Sequence, residues 1–298
     1  MSKLLVLILT ALGLAIPGLV RAEDKPKEIQ VERDLVYGKG GDTDLHLDLA
    51  MPKTGDGPFP VVICVHGGGW IQGKRQDMGK TIEVLAGRGF VAVTPTYRLA
   101  PDSKFPAQIE DCKAAVRWVR ANAKKYKINP DRIGAIGFSA GAHLSCLLGV
   151  TGKEDGLEGK GGNPDESSRI QAVVSFFGPT DLTLNDWSED VEKRILIPFL
   201  GDTIKNKPDL YKKASPVTYV TKEAPPFLFF HGEKDMLVHV EQSKMLAEKL
   251  TKAGVSAKVV IVEGEGHGWA GKKLTDNIEE MVGFLDEKLK KPTRNAPR

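Results

Sequence analysis

Cysteine is scarce in this chain, with only Cys64, Cys112 and Cys146 in 298 residues. An odd number cannot pair completely, and no C-x-x-C or mixed Cys/His spacing offers a metal site. All three lie in apolar segments, which reads as small buried hydrophobes, with a pairing between two of them left open. Aromatic residues make up only 7% of the sequence, and 42 Lys+Arg against 39 Asp+Glu leave a formal net charge of +3. No basic stripe with interleaved aromatics is present, so nucleic acid is not an expected partner. The phosphate-loop pattern G-x-x-x-x-G-K-[ST] is missing too, which weakens any nucleotide-binding reading of the glycines. Past residue 22 no apolar run is long enough to cross a bilayer. Neither an internal repeat nor a linker divides the chain.

What is present begins with a leader. Met1-Ser2-Lys3 is followed by an apolar stretch over residues 4–20, interrupted only by Thr10, and then by Val20-Arg21-Ala22. A positive start, a short apolar run and a small-x-small end describe a secretory signal peptide, cut after Ala22. The expected mature protein is a single exported domain over residues 23–298, with no membrane contact after cleavage.

From there a β-α rhythm sets in. Residues 29–37 and 44–49 read as a hairpin, and Asp44-Leu45-His46-Leu47-Asp48-Leu49 alternates as a half-buried strand does. Val61-Val62-Ile63-Cys64-Val65 is a continuous apolar run of central parallel type. Further strands are expected at 90–93, 133–136, 170–177, 227–230 and 257–262, and helices at 78–87, 106–125, 142–148, 240–250 and 278–289. Residues 151–168 form a polar surface loop. Residues 178–214 break the rhythm and are expected to pack over the carboxyl end of the sheet. Lys290 onward is a basic, solvated tail. The pattern predicts an α/β fold, a mostly parallel sheet of about eight strands flanked by helices, with its site at the strands' carboxyl ends.

Gly137-Phe138-Ser139-Ala140-Gly141 reads G-x-S-x-G between a strand and a helix. In that context the motif is a nucleophile elbow, a tight turn that exposes the serine hydroxyl at a helix head. A serine needs a base, and the chain offers six histidines. His46 falls mid-strand, His66 braces the glycine run, and His231 and His239 look structural. His143, one turn beyond Ser139, points along its own helix. His267 lies just past the last strand in Gly264-Glu265-Gly266-His267-Gly268-Trp269, where it can cross the sheet end, and is the predicted base. A carboxylate must orient that base. Asp235, in the preceding loop, is the prediction, and Asp181 is the runner-up. Glu233 reads as solvated. The order Ser139, Asp235, His267 is that of α/β-hydrolase triads. A tetrahedral oxyanion needs preorganised N–H donors. The amides of Gly68, Gly69 and Ala140 are the predicted ones. Trp70, Trp187 and Phe199 are candidate pocket walls or core residues.

Together His66-Gly67-Gly68-Gly69-Trp70, Tyr97-Arg98-Leu99-Ala100-Pro101, Gly137-Phe138-Ser139-Ala140-Gly141 and His231-Gly232-x-x-Asp235 resemble α/β-hydrolase esterases. The resemblance is to the hormone-sensitive-lipase-like group and to bacterial feruloyl- and acetylxylan-esterase-like hydrolases, and spans roughly residues 40–285. It implies the α/β-hydrolase fold and hydrolysis of short-chain carboxylic esters with no cofactor and no metal. It also implies that Tyr97 and Arg98 are structural or line the pocket. Residues 23–50 read as strands where the lipase-like group carries a helical cap, so a minimal cap is expected. Acetyl-type esters of sugars or plant polysaccharides fit an exported enzyme of this kind. The same triad could also cleave small amides or peptides, or the scaffold could bind without catalysis.

Overall fold

The computed structural model describes residues 28–184 and 187–290. The leader expected at 1–22 and most of the basic tail lie outside the described residues. The sheet is built around β3 (Phe59–Val65), in which every residue is buried. Its neighbours are β4 (Val91–Pro95) and β5 (Ile128–Phe138), both parallel to it. Beyond β5 follow β6 (Ala172–Phe176), β7 (Phe227–Gly232) and β8 (Ala257–Val262), all parallel. On the other side β1 (Ile29–Gly40) and β2 (Thr43–Pro52) form the expected antiparallel hairpin, joined to β4 through β2. The spatial order is β1-β2-β4-β3-β5-β6-β7-β8.

The helices are α1 (Gly79–Gly87), α2 (Ala107–Ala121), α3 (Ala140–Val150), α4 (Glu189–Val191), α5 (Ile197–Leu200), α6 (Pro208–Lys213), α7 (Glu241–Lys252) and α8 (Gly271–Leu285). A π-helical turn, Glu192–Leu196, joins α4 to α5. The last helix begins seven residues earlier than the sequence pattern suggests. Its first two turns are mostly polar and solvated, so hydrophobic spacing had no hold on them.

The strand period of two decides which face each residue serves. Val61, Ile63 and Val65 of β3 join the core cluster that holds Ile109 and Val116 of α2, Leu144 of α3 and Leu246 of α7. Val62 and Cys64 join the opposite cluster, with Ile82 of α1 and Met281 of α8. Both faces are therefore covered, and burying a single Val or Ile in either layer contributes about 1.5–3 kcal/mol. All three cysteines are buried, as the sequence suggested, and none is paired. Burial pushes the Cys64 thiol far above its ordinary value and the Cys146 thiol up to about 12, so neither is a nucleophile.

The chain leaves β3 for β4 on one side and reaches β5 on the other. The loops after β3 and β5 therefore part at this point, opening the crevice at the carboxyl ends where α/β folds place ligands. The long loop after α3 is pinned from α2: Lys113 Nζ donates to Glu158 Oε1, Thr151 O and Ser168 Oγ. Among the described residues no helix is long and apolar enough to cross a membrane.

Candidate active site

Ser139 sits between β5 and α3 with φ +54° and ψ −120°. Such a backbone costs a non-glycine residue roughly 1–3 kcal/mol, and the surroundings must hold it there. The Ser139 amide donates to Phe176 O at 2.9 Å, and its carbonyl accepts the His143 amide at 3.0 Å. The two motif glycines permit the close approach. A Cβ on Gly137 would lie 2.2 Å from the Gly141 carbonyl, and one on Gly141 would lie 2.2 Å from Val65 O. The elbow is thus pressed onto the end of β3, which sets Ser139 beside the glycine loop.

His267 comes from the loop after β8, and Asp235 from the loop after β7. His267 Nε2 lies 2.9 Å from Ser139 Oγ, and His267 Nδ1 lies 2.8 Å from Asp235 Oδ2. The carboxylate can only accept, so Nδ1 carries the ring proton and Nε2 is free to accept from the serine hydroxyl. The other oxygen, Asp235 Oδ1, accepts the Leu237 and Val238 amides at 2.9 Å each. Burial would push the Asp235 carboxyl up. The N–H groups of His231 and His267, the charge of His267 and the Val238 amide outweigh that and hold it well below the usual carboxylate range. Asp181 is elsewhere engaged: its Oδ1 accepts the Thr183 amide and hydroxyl in a local turn.

The glycine loop follows β3. Gly68 has φ +115° and Gly69 φ +61°. His66 Nδ1–H donates to the Gly67 carbonyl at 2.8 Å, and the His66 ring stacks on Tyr97. That carbonyl and the Gly68 N–H are opposite edges of one planar peptide, so holding the first aims the second away from His66. Among the described residues, neither the Gly68 nor the Gly69 amide donates to a backbone acceptor. Ala140 is the first residue of α3, where the amide has no intrahelical acceptor and the helix dipole favours negative charge. Tyr97 and Arg98 are structural: the Tyr97 hydroxyl donates to His66 O and Arg98 forks onto Asp111.

The three aromatic residues read as pocket walls or core take different places. Trp70 and Phe199 are buried and stacked on each other, with ring centroids 4.2 Å apart. Trp187 lines a cavity of about 30 Å³ inside the 178–214 insertion, with Leu182, Leu196 and Tyr211. Large rings contribute most when fully buried, and a single sequence does not distinguish a wall from the layer beneath it. Three contacts escaped the sequence reading. Phe177 packs edge-on against His267 at 4.8 Å. Ile195 Cγ2 would touch a Cβ on Gly69 at 3.2 Å, so the insertion overhangs the glycine loop. His231 Nε2 lies 3.3 Å from Asp235 Oδ2, which the four-residue spacing in His231-Gly232-x-x-Asp235 could have suggested. Among the described residues no cluster of His, Cys, Asp and Glu is arranged to hold a metal ion.

The BD-FAE family model matches residues 47–250, more than half of the chain. The chain belongs to the BD-FAE family. Its fold is the α/β-hydrolase fold, shared with esterases of known structure. Esterase LipC of Mycobacterium tuberculosis is 35% identical over 243 residues, which cover 77% of this chain and 59% of LipC. The chain thus spans about half to three fifths of the length of the curated relatives it matches. A truncated carbohydrate esterase from gut microbiota superposes with a TM-score of 0.77 at 28% identity, covering 91% of this chain and 99% of that one. The propionate-bound esterase Est2 of Thermogutta terrifontis superposes with a TM-score of 0.72 at 28% identity, covering 93% and 98%. The BD-FAE match contains Ser139 and Asp235 and ends before His267, which the structure brings to them.

Proposed function

We propose that the chain is a serine carboxylic-ester hydrolase that works through an acyl-enzyme on esters of small acyl groups. The observation that carries this reading is the continuous line Ser139 Oγ, His267 Nε2, His267 Nδ1, Asp235 Oδ2, with links of 2.9 and 2.8 Å. In this reading Ser139 Oγ attacks the ester carbonyl as His267 Nε2 takes its proton. Asp235 keeps the imidazole in the right tautomer and stabilises the imidazolium. The amides of Gly68, Gly69 and Ala140 receive the oxyanion, each worth about 3–4 kcal/mol of the barrier. His267 then gives its proton to the leaving alcohol. Water enters, surrenders a proton to His267 and attacks the acyl carbon, and Ser139 departs with the proton returned.

Acyl esters of carbohydrates are the proposed substrates. Supporting this are the carbohydrate esterase among the neighbours and the propionate held by Est2. We also infer export, from the leader pattern at residues 1–22. The test is turnover of a p-nitrophenyl acyl series and acetylated xylan, together with labelling by a fluorophosphonate probe. Acetate and propionate esters are expected to turn over fastest, and Ser139→Ala should abolish both turnover and label. Turnover or labelling that survives in that variant overturns the reading. Aryl formamide or peptide turnover outrunning every ester would replace it with amide hydrolysis.

A further inference from the structure

One buried imidazole plays no part in the reaction above, yet it touches three parts of the site. His143 is fully buried on α3, one turn beyond Ser139. Its amide donates to Ser139 O at 3.0 Å. Its Nε2 lies 2.7 Å from Ala214 O, at the end of the insertion. A carbonyl only accepts, so the ring proton sits on Nε2 and Nδ1 is an acceptor. That acceptor takes the Trp70 indole N–H at 3.2 Å. Both ring nitrogens are thereby satisfied while the ring stays neutral.

Trp70 is an unusual residue to find at this place. It follows Gly68 at φ +115° and Gly69 at φ +61°, and itself has φ +61°. The third left-handed position in a row is occupied by a large side chain, which is costly for a residue with a Cβ. The conformation is held from three sides: the indole N–H by His143, the ring by Phe199, and the carbonyl by the Ala100 amide at 2.9 Å. Without the indole anchor the residue can relax toward negative φ, turning the Gly69–Trp70 peptide and the glycine amides with it.

We propose that His143 is a positioning residue for the oxyanion loop, locking Trp70 in its left-handed conformation and tying the loop to both the elbow and the insertion. The inference rests on the ester-hydrolase reading, because only there do the Gly68 and Gly69 amides meet a developing oxyanion. Interactions made only in the transition state affect kcat far more than KM.

The test uses His143→Leu, His143→Asn and Trp70→Phe with p-nitrophenyl acetate. Asn places Oδ1 where Nδ1 was, so it can still accept the indole N–H, whereas Leu cannot. Trp70→Phe deletes the N–H and keeps a ring against Phe199. For His143→Leu, kcat should fall by about 10–100-fold, less than the roughly 10²–10³-fold of one lost oxyanion donor, with KM within about threefold. His143→Asn should recover roughly tenfold of that loss. Trp70→Phe should reproduce the kcat loss, and it decides the matter if His143→Leu does not fold. Hydrogen exchange of the Trp70 indole N–H is the readout independent of activity, and it should be protected in the native protein and exposed in His143→Leu. An unchanged kcat in both His143→Leu and Trp70→Phe, a loss that Asn does not relieve, or an unprotected native indole overturns the inference. If the native enzyme turns over no ester while that indole is protected, the ester-hydrolase reading has failed and the His143–Trp70 anchor has not.

Discussion

The triad assignment makes its sharpest prediction at Asp235→Asn. The carboxylate faces two ways, with Oδ1 accepting the Leu237 and Val238 amides and Oδ2 facing His267 Nδ1 at 2.8 Å. An asparagine here has one carbonyl oxygen to offer. Two backbone N–H groups demand an acceptor at Oδ1, so the amide nitrogen is turned toward His267. That NH2 donates to Nδ1 and forces the ring proton onto Nε2, which faces Ser139 Oγ. The imidazole then has no lone pair for the serine proton. The expected loss in kcat is roughly 10⁴-fold, or about 5 kcal/mol on the barrier. Folding should be nearly intact, because the Oδ1 bonds and the volume are kept. Steady-state hydrolysis of p-nitrophenyl acetate measures the loss, and a thermal melt confirms the fold. A fall of under tenfold with the melt unchanged would refute the assignment, the more so if Asp181→Asn produced the large loss instead.

Other consequences follow from the same contacts. Gly68→Ala would force a side chain into φ +115° with its Cβ 2.1 Å from Gln72 O; loss of most activity and about 1–3 kcal/mol of stability are expected, read by kcat and urea unfolding. Burial lowers the His143 imidazole from 6.5 to about 4, so between those pH values the unfolded chain takes up a proton that the folded one refuses. The stability gained from the neutral ring is complete above pH 6.5 and lost as pH falls toward 4. That loss is about 3 kcal/mol from this residue, and urea midpoints that do not fall between pH 7 and 4.5 would contradict it. Glu158→Ala strips the fully buried Lys113 ammonium of its counter-ion and should cost about 3–5 kcal/mol. That is a melting-point drop on the order of 10 °C in a protein of this size, with ester turnover at 25 °C retained.

Much of the site could be read from local pattern. Ser139 announces itself because an elbow needs small residues on both sides of a strained serine, and those residues are adjacent in sequence. Gly67-Gly68-Gly69 is legible for a similar reason, since a backbone that must approach a substrate excludes side chains over consecutive positions. His267 and Asp235 needed one further step, the rule that loops at the carboxyl ends of parallel strands meet. Trp70 and Phe199 were less tractable. Their composition suits a pocket wall and a core equally, and the stack between them joins positions more than a hundred residues apart.

The sequence by itself determined the alternation of strands and helices along most of the chain, the two-sided core and the candidate residues for nucleophile, base and acid. Each of these depends on side-chain period or on residues confined to one turn. The tertiary structure alone decided which way the Asp235 oxygens point, that His143 serves Trp70 and leaves Ser139 to His267, and that the insertion overhangs Gly69. Those facts depend on angles and distances between segments far apart in the chain, and hydrophobic periodicity carries no information about them.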